Sequence, residues 1–203
     1  MVVLVGAVAE PLLAGLARSS NVSLVRPPDE EKDSLTAAAL VLGQAARRAS
    51  PYVLVPADPL AEVAAEWAAM WDLTAGPGHA AAFEERAAAA VAAWRAGRFE
   101  LPDYYVAVTR AVRPGPGAAP VASPEGGLSP GDGTGMYLGP LRAARPGRIE
   151  AVVTTADDEG TDRVLQALRT LRHGPWWPPP DELLDQARHF FAGSLGDRTL
   201  TSE

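Results

Sequence analysis

Short apolar runs rich in β-branched residues recur along the chain and predict the strands of a buried sheet. VVLVG at residues 2–6 and YVLVP at residues 52–56 are the clearest, because an unbroken apolar run is typical of a strand covered on both faces. The runs at residues 21–25, 104–112 and 148–155 are predicted as three more strands. The pattern therefore predicts a sheet of about five strands.

Between these runs, apolar residues recur every three or four positions, which is the spacing of one face of a helix. This spacing predicts helices over residues 9–18, 33–48, 59–71, 80–96, 157–172 and 181–191, and leaves residues 136–144 open to a short helix or a strand. Ser34 and Asp58 stand where the second and third helices need a capping oxygen. Because strands and helices alternate, the predicted fold class is α/β, a three-layer α/β/α Rossmann-like sandwich with mostly parallel strands.

Chain length and local composition predict the domain organisation. One α/β domain is expected over residues 1–192, since a chain of 203 residues buries roughly 70% of its unfolded surface in one core. Residues 113–135 have no apolar period and are dense in proline and glycine, so a mobile loop is expected there. Residues 193–203 are expected to form a disordered tail.

The charge balance disfavours two classes of partner. A net charge of −7 argues against nucleic acid and anionic membranes, which bind concentrated positive charge. No run reaches the roughly 18 apolar residues of a spanning helix, and no basic residue precedes the apolar start as in a signal peptide. We therefore expect a soluble, cytoplasmic protein. Lys32 is the only lysine, which together with abundant alanine, glycine and proline indicates a GC-rich, bacterial genome.

Several chemistries are excluded by missing residues. The chain has no cysteine, so disulfides, thiolate catalysis and zinc sites with sulfur ligands are ruled out. His79, His173 and His189 are too far apart in sequence to share one helical turn as metal ligands. The phosphate loop with Gly-Lys-Ser/Thr and the Gly-x-Ser-x-Gly nucleophile elbow are also absent.

The first strand and helix have the pattern of a nucleotide-binding unit without its glycines. Gly6 is followed by Ala7, Val8, Ala9 and Glu10, so side chains occupy the positions where backbone would approach a pyrophosphate. The run NVSLVRPPD resembles the second strand of atypical short-chain dehydrogenases, in which an arginine at the strand end meets a 2′-phosphate. The catalytic Tyr-x-x-x-Lys of that family is missing, because Pro28 stands four positions before Lys32.

Polar residues at the predicted carboxyl ends of the strands form a candidate ligand site. Parallel sheets bind ligands at this edge, where the strand order reverses. The candidate residues are Gly6, Arg26, Asp58, Arg110, Asp157 and Asp158. The arginines suit an anionic group, and the carboxylates are numerous enough for a hydrated Mg²⁺, although no cofactor is predicted outright. Capping of helices is the competing interpretation for Asp58 and Asp157.

Two other groups of residues carry alternative interpretations. Arg142, Arg145 and Arg148 recur every third residue and indicate either an anion-binding patch or an exposed, solvated face. Trp176 and Trp177 are adjacent in a proline-flanked extended segment, so both cannot face one core. They are predicted either to cover an end of the core or to form part of a partner surface, where tryptophan is enriched.

Two functions remain open on this basis. The favoured hypothesis is a non-catalytic adaptor or regulatory module that presents the tryptophan segment and the 113–135 loop to a protein partner. The alternative is a protein or enzyme that binds a small anionic or nucleotide-like ligand at the strand ends. In that case the long loop closes over the ligand as a lid.

Overall fold

Five parallel strands form the central sheet in the part of the chain that the structure describes. The computed structural model describes residues 1–8, 10–28, 34–71, 76–110, 133–154, 160–172 and 174–198, with side chains as far as residue 190. The strands are β1 (Val2–Gly6), β2 (Val22–Leu24), β3 (Tyr52–Val55), β4 (Tyr104–Arg110) and β5 (Ile149–Thr154). They lie in the order β2-β3-β1-β4-β5. Each neighbouring pair is parallel, with Val5 of β1, for example, opposite Ala107 of β4.

Helices cover both faces of this sheet. They are α1 (Glu10–Ala17), α2 (Ser34–Ala45), α3 (Ala61–Met70), α4 (His79–Arg95), α5 (Arg142–Ala144), α6 (Thr161–Thr170) and α7 (Pro180–Arg198). Helices α1 and α6 pack on one face, against side chains such as Leu4 and Val106. Helices α2, α3, α4 and α7 pack on the other, against side chains such as Val3 and Tyr105. The three-layer α/β fold predicted from the sequence is therefore confirmed.

The predicted strands agree with the observed ones to within two residues at each end. This agreement has a physical cause, since all but one of the residues 2–5 and 105–108 are β-branched or bulky and all are buried by helices on both sides of the sheet. None of the described helices combines the length and the apolar character needed to cross a membrane.

The ambiguous segment at residues 136–144 is helical. A π-helical turn, Tyr137–Leu141, continues directly into α5 and contains Pro140. Proline has no N–H and its ring crowds the preceding turn of an α-helix, and a wider π-helical turn relieves that crowding. The turn packs on the same face of the sheet as α7, with Tyr137 and Leu141 in the core.

The predicted loop and tail lie only partly within the described residues. Of the loop at 113–135, residues 113–132 are outside the description, and Thr134 and Gly135 lead into the π-helical turn. Helix α7 continues to Arg198, so its backbone extends into the tail predicted at 193–203, and residues 199–203 are outside the description. The helix caps also differ from prediction. Ser34 is the first residue of α2 and donates to Glu62 Oε1 at 2.9 Å, and Leu60 stands at the N-cap of α3.

Arg148 closes the amino edge of the sheet, which corrects both interpretations for this one of the three arginines. Its side chain is 6% exposed, so it belongs neither to a solvated face nor to an open anion-binding patch. Its guanidinium donates three hydrogen bonds, to the carbonyl oxygens of Pro175 at 2.7 Å, Asp103 at 2.8 Å and Gly174 at 2.8 Å. The positive charge thus fixes the extended segment that leads to α7.

The strand order opens a crevice at the carboxyl end of β1. The chain leaves β1 toward α1, on one face of the sheet. The strands on either side of β1 lead to elements on the other face. Strand β3 leads to α3, and the next described element after β4 is the π-helical turn. Open α/β sheets bind ligands where neighbouring connections diverge in this way.

Candidate functional site

A crevice of about 520 Å³ lies at the carboxyl ends of β1 and β3. Its lining is mainly apolar, and its polar members are few. The lining residues are Leu4, Val5, Gly6, Val8, Leu13, Arg26, Pro27, Pro56, Asp58, Ala61, Ala64, Gly133 and Tyr137. Small-molecule sites typically combine this composition with a volume of roughly 300–1,000 Å³.

Gly6 forms the part of the wall where β1 ends. Its φ of +88° lies in the region that favours glycine. A Cβ atom at this position would lie 2.3 Å from Thr134 Cγ2 and 2.4 Å from the carbonyl oxygen of Val108. The amide of Ala7 donates to that same carbonyl oxygen at 2.7 Å, so the chain turns away from β4 immediately after Gly6. Glycine is therefore required here by conformation and by close packing.

Asp58 is the buried polar group of the crevice. It follows β3, and its side chain is 7% exposed. The Oδ1 atom accepts hydrogen bonds from the Leu60 amide and from the Tyr105 hydroxyl, both at 3.1 Å, and Oδ2 accepts one from the Tyr137 hydroxyl. The two tyrosine rings lie 5.2 Å apart between centroids. Strand β3, strand β4 and the π-helical turn thus converge on one carboxyl group.

Burial changes the protonation chemistry of this cluster. It raises the pKa of Asp58 from its ordinary value of 3.8 to about 6, against the opposing effect of the hydrogen bonds from Tyr137, Leu60 and Tyr105. Burial, together with the adjacent carboxylate, raises the pKa of both tyrosines well above their ordinary value of 10.0. The tyrosines therefore remain hydrogen-bond donors at neutral pH, whereas Asp58 changes charge near the physiological range.

This raised pKa predicts that Asp58 makes the protein less stable as the pH rises from about 4 to about 6. The folded state holds the proton more tightly than the unfolded state, so lowering the pH favours folding in this window. The free energy of unfolding lost over the whole window is roughly 3 kcal/mol, because each pH unit between the two pKa values contributes about 1.4 kcal/mol. Urea unfolding of the wild type and Asp58→Asn across pH 4 to 7.5 measures it, because other titrating groups cancel between the two proteins. A constant difference across that range would contradict the prediction.

Arg26 lines the crevice from the end of β2. Its guanidinium forms a two-pronged pair with the carboxylate of Glu10, with both nitrogen-to-oxygen distances at 2.8 Å. Both side chains are largely exposed, and the pairing lowers the pKa of Glu10. Exposed pairs of this kind contribute little to stability. An anionic ligand group could therefore replace Glu10 as the partner of Arg26 at low energetic cost.

The structure brings together half of the six residues predicted as a ligand site. Gly6, Arg26 and Asp58 all line the crevice. Arg110 is exposed at the end of β4 and does not belong to the lining. The other two predicted residues, Asp157 and Asp158, lie outside the described residues.

Two tyrosines of the site were not predicted from the sequence. Tyr105 and Tyr137 lie 47 and 79 positions from Asp58 along the chain, so no local spacing links them to it. The available signal was weak. Tyr105 begins the buried part of β4, and a buried tyrosine hydroxyl needs a hydrogen-bond partner.

No metal cluster occurs among the described residues, in the sense of three or more histidine or carboxylate side chains grouped together. Asp58 is surrounded by hydrogen-bond donors instead of further carboxylates. The predicted Mg²⁺ site also depended on Asp157 and Asp158, so it stays a prediction. No protein-family model, curated protein sequence or solved structure matches the chain.

Proposed function

We propose that the protein binds a small organic molecule in the crevice at the carboxyl end of β1, with Asp58 as the polar anchor of the ligand. The observation that carries this proposal is a buried carboxyl group in the wall of a mainly apolar crevice of about 520 Å³. Burying a carboxylate is costly, and the three donors around Asp58 do not restore its ordinary pKa. Carboxyl groups perturbed in this way are concentrated in the clefts of functional sites.

The positions of the polar groups indicate the class of ligand. Asp58 offers carboxylate lone pairs to a hydroxyl or amino group, and Arg26 offers a guanidinium to an anionic group. The rest of the lining includes aliphatic side chains such as Leu4, Val8 and Leu13. A ligand with a donor group for Asp58, a mainly apolar or aromatic body for the aliphatic lining and an anionic group for Arg26 matches these contacts. Nucleotide-like molecules and aromatic acids that carry a hydroxyl group are members of this class.

The pKa of Asp58 near 6 adds acid–base chemistry to the proposal. A carboxyl group with such a pKa can give a proton to a bound ligand or take one from it near neutral pH.

The lid function of the loop at 113–135 stays a prediction, as does the adaptor hypothesis. Gly133, at the end of that loop, does line the crevice.

A thermal-shift screen with a crevice-blocking variant tests the proposal. Ala61 is exposed on the first turn of α3 and lines the crevice, whereas Ala65 is exposed one turn later and does not. The screen contains nucleotides, dinucleotides, sugar phosphates and hydroxylated aromatic acids. A ligand at about 100 times its Kd should stabilise the wild type by about 2.7 kcal/mol, or roughly 5–10 °C. Ala65→Phe should retain this shift, and Ala61→Phe should lose it.

Two outcomes would contradict the proposal. One is the absence of any stabilising compound across these classes. The other is a compound that stabilises Ala61→Phe as much as the wild type, because binding would then occur away from the crevice.

A further inference from the structure

A second groove lies at the opposite, amino-terminal edge of the sheet. We call it the tryptophan groove; it has a volume of about 360 Å³ and is lined by Trp94, Glu100, Leu101, Trp176, Trp177 and the prolines 178–180. The end of α4 and the extended segment before α7 form its two sides. The groove shares no residue with the crevice and plays no part in the proposed ligand binding.

The structure holds Trp176 in a fixed position with its ring open to solvent. Its side chain is 52% exposed, the largest exposure among the described large apolar residues that are exposed. The guanidinium carbon of Arg148 lies 4.5 Å from the ring centroid on one side. Arg145 Nε donates to the backbone carbonyl oxygen of Trp176 at 2.6 Å. The indole is therefore held at both backbone and ring, so a partner that stacks on it loses little conformational entropy.

Trp177 has a different role, which resolves the alternative left open by the sequence. It is 5% exposed, packs edge-to-face against Tyr105 with 5.7 Å between ring centroids, and donates from Nε1 to the carbonyl oxygen of Pro102 at 2.7 Å. Trp177 covers the end of the core. Of the adjacent pair, Trp176 is the one available to a partner.

Three polar side chains of the groove have no partner in the described part of the chain. The indole N–H groups of Trp94 and Trp176 have no acceptor there, and the exposed carboxylate of Glu100 has no ion pair there. The groove is thus lined by one exposed indole ring, that of Trp176, by two N–H donors and by one negative charge. These are the features that would bind a chain with free carbonyl groups and a basic side chain.

We propose that the tryptophan groove docks a proline-rich segment of a protein partner, bound in the polyproline II conformation next to an arginine or lysine. In this conformation no carbonyl is used internally, so backbone oxygens are free to accept from the indole groups. Proline rings stack on aromatic side chains, and the preformed helix loses little entropy on binding. Glu100 supplies the charge that pairs with the basic residue.

Calorimetric titration of the full chain with synthetic peptides tests this proposal. The probe is an acetylated proline-repeat peptide that ends in arginine. One control peptide replaces its prolines with alanine, and another replaces its arginine with glutamate. Trp176→Ala should weaken binding of the probe by at least about 30-fold, as expected for an interface hot spot. Circular dichroism and the melting temperature of this variant check that it is folded.

A charge-reversal variant keeps the test independent of any change in stability. Glu100 is exposed, so Glu100→Arg leaves the fold unchanged and should bind the arginine peptide about tenfold more weakly and the glutamate peptide more tightly than the wild type. Glu85→Arg, on an exposed position of α4 outside the groove, should behave like the wild type. Ala61→Phe should also leave peptide binding unchanged, which separates this result from ligand binding in the crevice.

Three results would overturn the proposal. The first is no binding of the probe at about 1 mM, which corresponds to less than about 4 kcal/mol of binding free energy. The second is equal binding of the alanine peptide, which would indicate a site for an unspecific apolar or helical segment. The third is an unchanged peptide preference in Glu100→Arg.

Discussion

Replacing Gly6 with alanine is expected to destabilise the protein by about 4 kcal/mol, the largest effect of any single substitution considered. Two terms add. An alanine at a φ of +88° carries backbone strain of roughly 1–3 kcal/mol. The new Cβ would also lie 2.4 Å from the Val108 carbonyl oxygen, so strand β4 or the crevice wall must shift, at a cost of roughly 1–3 kcal/mol. For a chain of this length the melting temperature should fall by roughly 8–16 °C.

Gly43→Ala is the matched control for this prediction. Gly43 lies on α2, its φ is not positive, and a Cβ there would meet nothing within 4 Å. The same substitution should therefore stabilise the protein, by roughly 0.5–1 kcal/mol, because alanine favours a helix over glycine. Urea unfolding of both variants measures the two values. A Gly6→Ala variant within about 1 kcal/mol of the wild type would contradict the described geometry of the β1 end.

Replacing Arg148 with methionine is expected to destabilise the protein by about 3 kcal/mol. Methionine retains much of the apolar contact but donates no hydrogen bond, so the carbonyl oxygens of Asp103, Gly174 and Pro175 lose their donors. Each buried carbonyl left unsatisfied costs roughly 1–3 kcal/mol, and the cost is less at Gly174 and Pro175, which are exposed and open to water. The stacking on Trp176 is lost as well. Arg148→Lys should recover less than half of the loss, since one ammonium cannot reproduce the fork of donors.

Arg142→Met is the corresponding control. Arg142 is exposed on α5, and its side chain forms no hydrogen bond or ion pair with the described part of the chain. Its replacement should change the free energy of unfolding by less than about 0.5 kcal/mol. If Arg148→Met and Arg142→Met were equally mild in urea unfolding, Arg148 would not be the residue that fixes the segment before α7.

The sheet could be predicted from sequence because its strands are buried on both faces. A run such as residues 2–6 has few conformations that remove so many β-branched side chains from water, and a buried strand is one of them. The alternation of strands and helices then indicates crossover connections between parallel strands. The order of the strands was not predictable. Strand β2 lies at the edge of the sheet, and β3 separates it from β1. The residues of β2 alone do not indicate this position, because the order depends on which helix covers which face.

The candidate site was predictable where a residue directly follows a strand. Gly6 and Asp58 were identified for that reason, and Arg26 for its place after β2. Tyr137 was not predictable, because its position depends on a π-helical turn within a segment whose proline obscured the helical pattern. Arg148 was misjudged because regular spacing of arginines suggested a common environment, whereas the turn at Pro146–Arg148 directs it into the protein.

The proposed ligand site depends on Asp58 as a buried, titratable carboxyl group in the wall of the crevice. The most direct test follows the ¹³C chemical shift of its carboxyl carbon by NMR from pH 3 to 8, with Asp58→Asn used to assign the signal. We predict a midpoint at about 6, well above the ordinary value of 3.8. A midpoint near 3.8 would show a solvated carboxylate, and would contradict both the described burial of Asp58 and its role as the anchor of a ligand.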